Sequence, residues 1–262
     1  MFKKNLKIWT QLVIMNFKHL LIYRAGFWIT FALMAGWAAA YVIFVEVLFG
    51  HIGNLAGWNK AHVLLVLSFY YLFQNISDIF FKDNFEDFSD TMRKGELDFR
   101  LIKPASSRLL IFLYRMRFDQ LSALIITIAL FSYTLSQFDT PVSPVALAIG
   151  AFYMVFSTIL YFSLLSIIAT FAFWVQKNDT FRVLMWNVSQ VARYPRQIYI
   201  GLTGKILTFV IPFAGLASIP AEIAVQFNTG YLPHFFVALT IVMLFISRWF
   251  WNFGLKKYSS AG

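Results

Sequence analysis

Ala25–Phe49 runs for 25 residues with a single charged side chain, Glu46. A helix rises about 1.5 Å per residue, so this run is long enough to cross the ~30 Å hydrocarbon core of a bilayer. Four further apolar runs follow, at residues 61–81, 118–138, 145–175 and 232–253. No soluble fold of this size has a core able to hide them. The 262 residues are 60% hydrophobic and 13% charged, whereas soluble domains are about 25% charged and under half apolar. With 31 Phe and 8 Trp added, the solvent for this surface is lipid. The chain reads as a single all-α polytopic membrane domain.

Residues 1–24 are of another kind. Phe2, Leu6, Trp9, Leu12, Val13, Phe17, Leu20 and Leu21 share one helical face, and Lys3, Lys4, Lys7, Gln11 and Lys18 lie elsewhere. That pattern predicts an amphipathic helix lying in the membrane interface. A signal peptide is excluded by the long charged region and the full spanning length of the next apolar run.

Several chemistries drop out early. Without cysteine there is no disulfide, thiolate metal site or Cys nucleophile. The net charge of +10 sits between apolar runs, as in cytoplasmic loops, and not on a foldable nucleic-acid-binding domain. His19, His51, His62 and His234 share no ligand spacing, so no metal is expected. Gly201–Ile206, GLTGKI, resembles a phosphate loop only superficially. It has two residues between its glycines, not four, and Ile follows the Lys.

Basic residues set the orientation. Five Lys or Arg lie in residues 1–24 and eight in 82–117, against one in the turn 50–60 and none in DTPVSP, 139–144. The positive-inside rule then makes the amino terminus and the 82–117 segment cytoplasmic, and Lys256 and Lys257 bring the carboxy terminus (254–262) to the same side. An even number of spans follows, and six is the natural count. Hydropathy alone selects Lys205–Phe227 as the fifth, although Pro212, Gly215 and Pro220 interrupt it.

Polar residues recur at helical spacing on two spans. On the second, Ser68, Tyr71, Asn75 and Asp78 align, with Gln74 adjacent. Such a stripe is either a hydrogen-bonded seam between helices or the lining of a polar path. Asp78 lies four residues before Lys82, and the expectation for it and for Glu46 is local pairing or snorkelling. The fourth span carries Ser163, Ser166 and Thr170, read as a seam. On the first, Ala32, Gly36 and Ala40 form a small-residue face allowing close approach of another helix, within the chain or from a second chain.

The charge of the middle segment needs a purpose. Phe81, Phe85, Phe88 and Met92 recur at helical spacing among Asp83, Glu86, Asp87 and Asp90. An acidic helix is repelled by an anionic leaflet, so this piece is expected to continue the second span into the cytosol and meet protein. Gly95 suits the end of that helix. A short element, Glu96–Lys103, follows, with Pro104 to stop it and Ser106 or Ser107 to cap the next helix. A knob of apolar and charged groups between two spans reads as a docking element, with a solvated loop as the other reading.

Gly95-Glu96-Leu97-Asp98, then Leu101 and Pro104, resembles the G-x-L-[ED]-x-x-L-x-x-P stretch between the second and third spans of ABC-2-type transporter permeases. The layout is similar too, including Tyr194-Pro195 and Ile211-Pro212 near its Pro-broken region. The resemblance implies a permease of an ATP-driven transporter, commonly an exporter, in a bacterial inner membrane. It pairs with an identical or homologous permease and with two cytosolic ATPase subunits, which carry the ATP and Mg. Nothing binds a cofactor on this chain. Gly95, Glu96, Leu97, Asp98, Phe99, Leu101 and Pro104 would then couple to the ATPase, and Tyr71, Gln74, Asn75 and Asp78 would border the substrate path. Residues 179–195 would be the fifth span and 196–231 an external re-entrant hairpin. A secondary transporter should show internal repeats and an ionisable group near the bilayer midplane. An enzyme should show converging catalytic groups. Neither pattern is evident, and a scaffold subunit remains the other alternative.

Overall fold

Asn59 starts the central helix of the bundle: its Oδ1 accepts the backbone N–H of His62 at 2.9 Å, satisfying one of the orphan donors of the first turn. The turn before it, Leu55–Trp58, places Ala56 and Gly57 at positive φ and tucks Trp58 out of solvent. The computed structural model describes residues 2–22, 24–103, 106–175, 183, 187–225 and 230–258. No strand occurs among them.

The long helices, in chain order, are α1 (Phe2–Ile22), α2 (Arg24–Phe49) and α3 (Lys60–Phe80). Four short helices follow: α4 (Lys82–Glu86), α5 (Phe88–Arg93), α6 (Glu96–Leu101) and α7 (Ser107–Phe112). Next come α8 (Leu121–Ser136), entered through a tight turn at Phe118–Gln120, and α9 (Pro144–Thr170). The last third holds α10 (Gly201–Lys205), which widens into a π-helical turn at Ile206–Val210, then α11 (Gly215–Ala224) and α12 (Leu232–Leu255).

Among the described residues five helices are long and apolar enough to cross a membrane: Ala25–Phe49, Lys60–Phe80, Phe118–Ser136, Pro144–Phe173 and Leu232–Leu255. They reproduce the five expected runs to within a few residues. Of the expected fifth span, 179–195, residues 179–182 and 184–186 lie outside the described residues. Its end is visible: helical backbone at 187–189 tightens into a 3-10 turn, Gln190–Arg193, and Tyr194 turns extended before Pro195, where a helical residue would clash with the proline ring.

The straight span that hydropathy selects at Lys205–Phe227 is not there. Gly201–Val210 and Gly215–Ala224 meet at 85° across Pro212. Proline cannot donate to the preceding turn, and Ile211 has already left helical geometry. Nearly every residue of α11 is buried, packed between α3 and α9. Gly150 permits that approach, since a Cβ there would lie 2.8 Å from the Pro220 carbonyl oxygen.

The acidic continuation of the second span is also corrected. Helix α3 breaks at Phe81 (φ −151°) and does not run straight on. Phe81, Phe85 and Phe88 turn back under the bundle, where Phe85 stacks on Phe112 with ring centroids 4.1 Å apart. Burying three aromatic rings outweighs the single backbone hydrogen bonds lost at each break. The fold closes at the same end with Tyr258 beside Asp98 and Asn16 donating to the Tyr114 carbonyl at 3.0 Å. Asn16 of α1, Tyr258 and the charged segment therefore share one end of the bundle, the basic end.

Candidate functional site

Helix α6 projects from the basic end on a fixed mount. Gly95 has φ 71°, a left-handed conformation that costs glycine little, and it both terminates α5 and begins α6. Leu97 is fully buried in the main core and Leu101 packs partly against it. Phe99 and Ile102 face the other way, 70% and 79% exposed. Arg100 reaches Glu96 at 3.5 Å and lies over the Tyr114 ring. The returning chain is pinned by Asn84, which donates to the Arg115 carbonyl at 2.7 Å and accepts its N–H at 2.9 Å. Arg117 bridges Asp83 and Asp119. Burial pushes the Asp83 carboxyl above its ordinary range, although Arg117 draws it back. The sequence motif thus divides in two. Leu97 and Leu101 anchor the helix, and Phe99 with Ile102 is what it offers outward. Pro104 lies outside the described residues.

The polar stripe of α3 also divides. Ser68 pairs with Thr134 at 3.0 Å, and Asn75 donates to Thr127 at 2.6 Å. Both contacts are to α8, so this part of the stripe is an interhelical seam. Asp78 pairs with Lys82 at 2.8 Å and accepts from Gln74 at 3.3 Å, the local pairing expected of it. Glu46 does likewise with Lys60 at 3.1 Å and Tyr133 at 2.7 Å. Tyr71 is different. Its hydroxyl is buried with no hydrogen-bond partner, as is Gln74 Oε1.

Tyr71 borders a cluster that sequence reasoning missed. The Arg193 guanidinium lies 3.9 Å from the ring centroid of Tyr41 and 5.0 Å from that of Tyr70. It donates to Gln190 Oε1 and, at 3.4 Å, to the Tyr70 hydroxyl. Tyr70 is the middle residue of Lys60–Phe80, so this cation sits near half-height in the bundle. No ion pair to a carboxylate reaches it among the described residues, and its Nε and Gln190 Nε2 have no acceptor. Three residues on, Arg196 forms a two-pronged pair with Glu222 at 2.8 and 3.0 Å. Gln197 and Ser218 complete the shell of that carboxylate at 3.0 and 2.9 Å. The signal in the sequence was a pair of arginines flanking Pro195 and a lone Glu222 in apolar surroundings, which near a membrane imply partners.

Ala32, Gly36 and Ala40 are exposed, and a Cβ at Gly36 would meet nothing. The small-residue face of α2 is therefore unused within the chain. GLTGKI forms the start of α10, and no group of acids and histidines able to hold a metal occurs among the described residues.

A family model described as ABC-2 family transporter protein matches residues 35–262. The chain belongs to this family. No curated protein and no solved structure matches it. As an ABC-2 family member the protein is a multi-pass permease, the membrane part of an ABC transporter, and the partners of such permeases are ABC ATPase subunits. The match takes in α6, the α3 stripe and the Arg193 cluster together, so all three are parts of the permease domain proper.

Proposed function

We propose that this permease exports a substrate across a bacterial inner membrane, driven by ATP and Mg bound on two separate cytosolic ATPase subunits that dock on α6. The observation carrying this is the two-faced helix: Phe99 and Ile102 exposed outward, Leu97 buried beneath them. Large apolar side chains on a short, rigidly mounted helix suit a groove on a partner, and the anchor lets a push on α6 reach α3. The basic end is then cytoplasmic, as the excess of Lys and Arg there favours. Export is the direction the family resemblance implies.

The translocating unit is a pair of permeases, identical or homologous, with Ala32, Gly36 and Ala40 of α2 near the partner. Tyr71, Gln74 and Arg193, whose buried polar atoms lack partners, border the path. Asn75 supports it from the seam, and Asp78 closes its cytoplasmic side. The test is to replace Phe99 and Ile102 with Asp in the permease expressed together with its ATPase subunit. We expect the ATPase to stop copurifying while the permease still reaches the membrane. Undiminished copurification would remove α6 as the docking element.

A further inference from the structure

Arg108 opens α7 at the basic end and points up between α9 and α12. Its Nη2 donates to Ser166 at 3.2 Å and Ser247 at 3.1 Å, one hydroxyl from each helix. The guanidinium lies 5.4 Å from the Phe162 ring centroid, and its Nε is buried with no acceptor. Nothing anionic offsets it: among the described residues neither Arg108 nor Arg248 forms an ion pair. The charge that does act on it is another cation, Arg248, the residue after Ser247. Burial first, and that repulsion second, push Arg108 down to about 10, so it stays charged at neutral pH. Arg108 is thus bonded to the residue next to Arg248, at a hydrogen-bonded seam where neither arginine is paired with a carboxylate, an arrangement complementary to a phosphate.

The surroundings say where the phosphate comes from. Arg248 lies seven residues before Leu255, the end of α12, or about 10 Å inside the helix end at 1.5 Å per residue. Its neighbours Phe245, Trp249 and Phe253 are 68%, 66% and 43% exposed. Trp174 stacks on Phe250 and Phe253 at 5.6 and 5.8 Å. Exposed Trp side chains among stacked aromatics toward the end of a spanning helix mark the headgroup zone of a bilayer, and a long Arg side chain there extends toward the lipid phosphates. A cytosolic protein does not reach this depth; a lipid does. We propose that Arg108 and Arg248 form a binding site for the phosphate of an anionic phospholipid, seated where α7 meets the seam of α9 and α12.

The site is testable on the purified permease without knowing what it transports. Native mass spectrometry after detergent extraction counts retained phosphatidylglycerol against phosphatidylcholine. Arg248→Gln, at an exposed position that folding does not need, should lower phosphatidylglycerol retention about fivefold, the order of one charge-assisted contact. Arg108→Gln should do the same. Arg115→Gln, at an exposed arginine of the same end, should change nothing. Equal retention in Arg248→Gln and the parent would overturn the proposal, whatever becomes of Arg108→Gln. Displacement of the lipid by millimolar inorganic phosphate would overturn the lipid as the ligand and assign the site to free phosphate.

Discussion

Leu97 and Phe99 stand two residues apart in one six-residue helix, and their fates are opposite: one is fully buried, the other 70% exposed. Truncating Leu97 to Ala removes methyl groups from a packed core, at a cost of about 2–5 kcal/mol. We expect this to lower the unfolding midpoint of the purified permease, whereas Phe99→Ala leaves it unchanged. The buried pair Arg196–Glu222 is a second place where single residues decide stability. Glu222→Leu would leave a guanidinium facing apolar atoms, and breaking such a pair costs about 3–5 kcal/mol. Adding Arg196→Met to Glu222→Leu should regain most of that loss in the same unfolding measurement. A loss that the second substitution does not repair would mean the pair contributes little. At this scale the sequence was partly legible. The motif Gly95–Leu101 pointed to the right helix, because glycine and proline punctuation is local chemistry. It did not show which leucine is buried, because that depends on where Phe112 and the rest of the core arrive from. Arg193 and Glu222 were missed for the same reason: Tyr70 and Arg196, which each of them meets in turn, lie 123 and 26 residues away, on elements whose path apolar periodicity does not describe.

Elements that run straight through lipid were the most legible. Their signal is length and apolarity, and lipid enforces both. Helices α2, α3, α8, α9 and α12 fell where the runs predicted. Elements that bend were not, since a bend is decided by packing. The acidic segment read as one helix, but burial of Phe81, Phe85 and Phe88 folds it into α4 and α5. The Pro-broken region read on hydropathy as a span, but α11 turns 85° to fill the space between α3 and α9. Gly150 is the contact that admits α11. Valine there would drive its side chain into the Pro220 carbonyl and Ala224 Cβ, overpacking that typically costs about 1–3 kcal/mol. Because the chain has no native cysteine, a Cys at Ala217, fully buried on α11, reports on docking. It should resist a thiol reagent in the parent and react in Gly150→Val. Protection in both would show that α11 docks by another contact.

For the molecule as a whole, topology turns on which side of the membrane residues 196–231 face. On the re-entrant reading they return to the outer side, which leaves Arg193, Arg196 and Lys205 against the positive-inside bias. Arg196 is paired with Glu222, so its partly buried guanidinium has a counter-ion on either side of the membrane. A Cys at Ile200, 82% exposed, should then be labelled by an impermeant thiol reagent added to whole cells. Labelling only after the cytosolic face is opened would place the segment inside. The burial of α11 has one more consequence, in the order of synthesis. The helices that enclose it, α3 and α9, are complete by Thr170, whereas α11 ends at Ala224. Until roughly fifty more residues have left the ribosome, the gap between α3 and α9 stands open in the bilayer, to be filled by lipid tails or a chaperone. A chain cut short before Gly215 has five-sixths of its length and no means of closing its own centre.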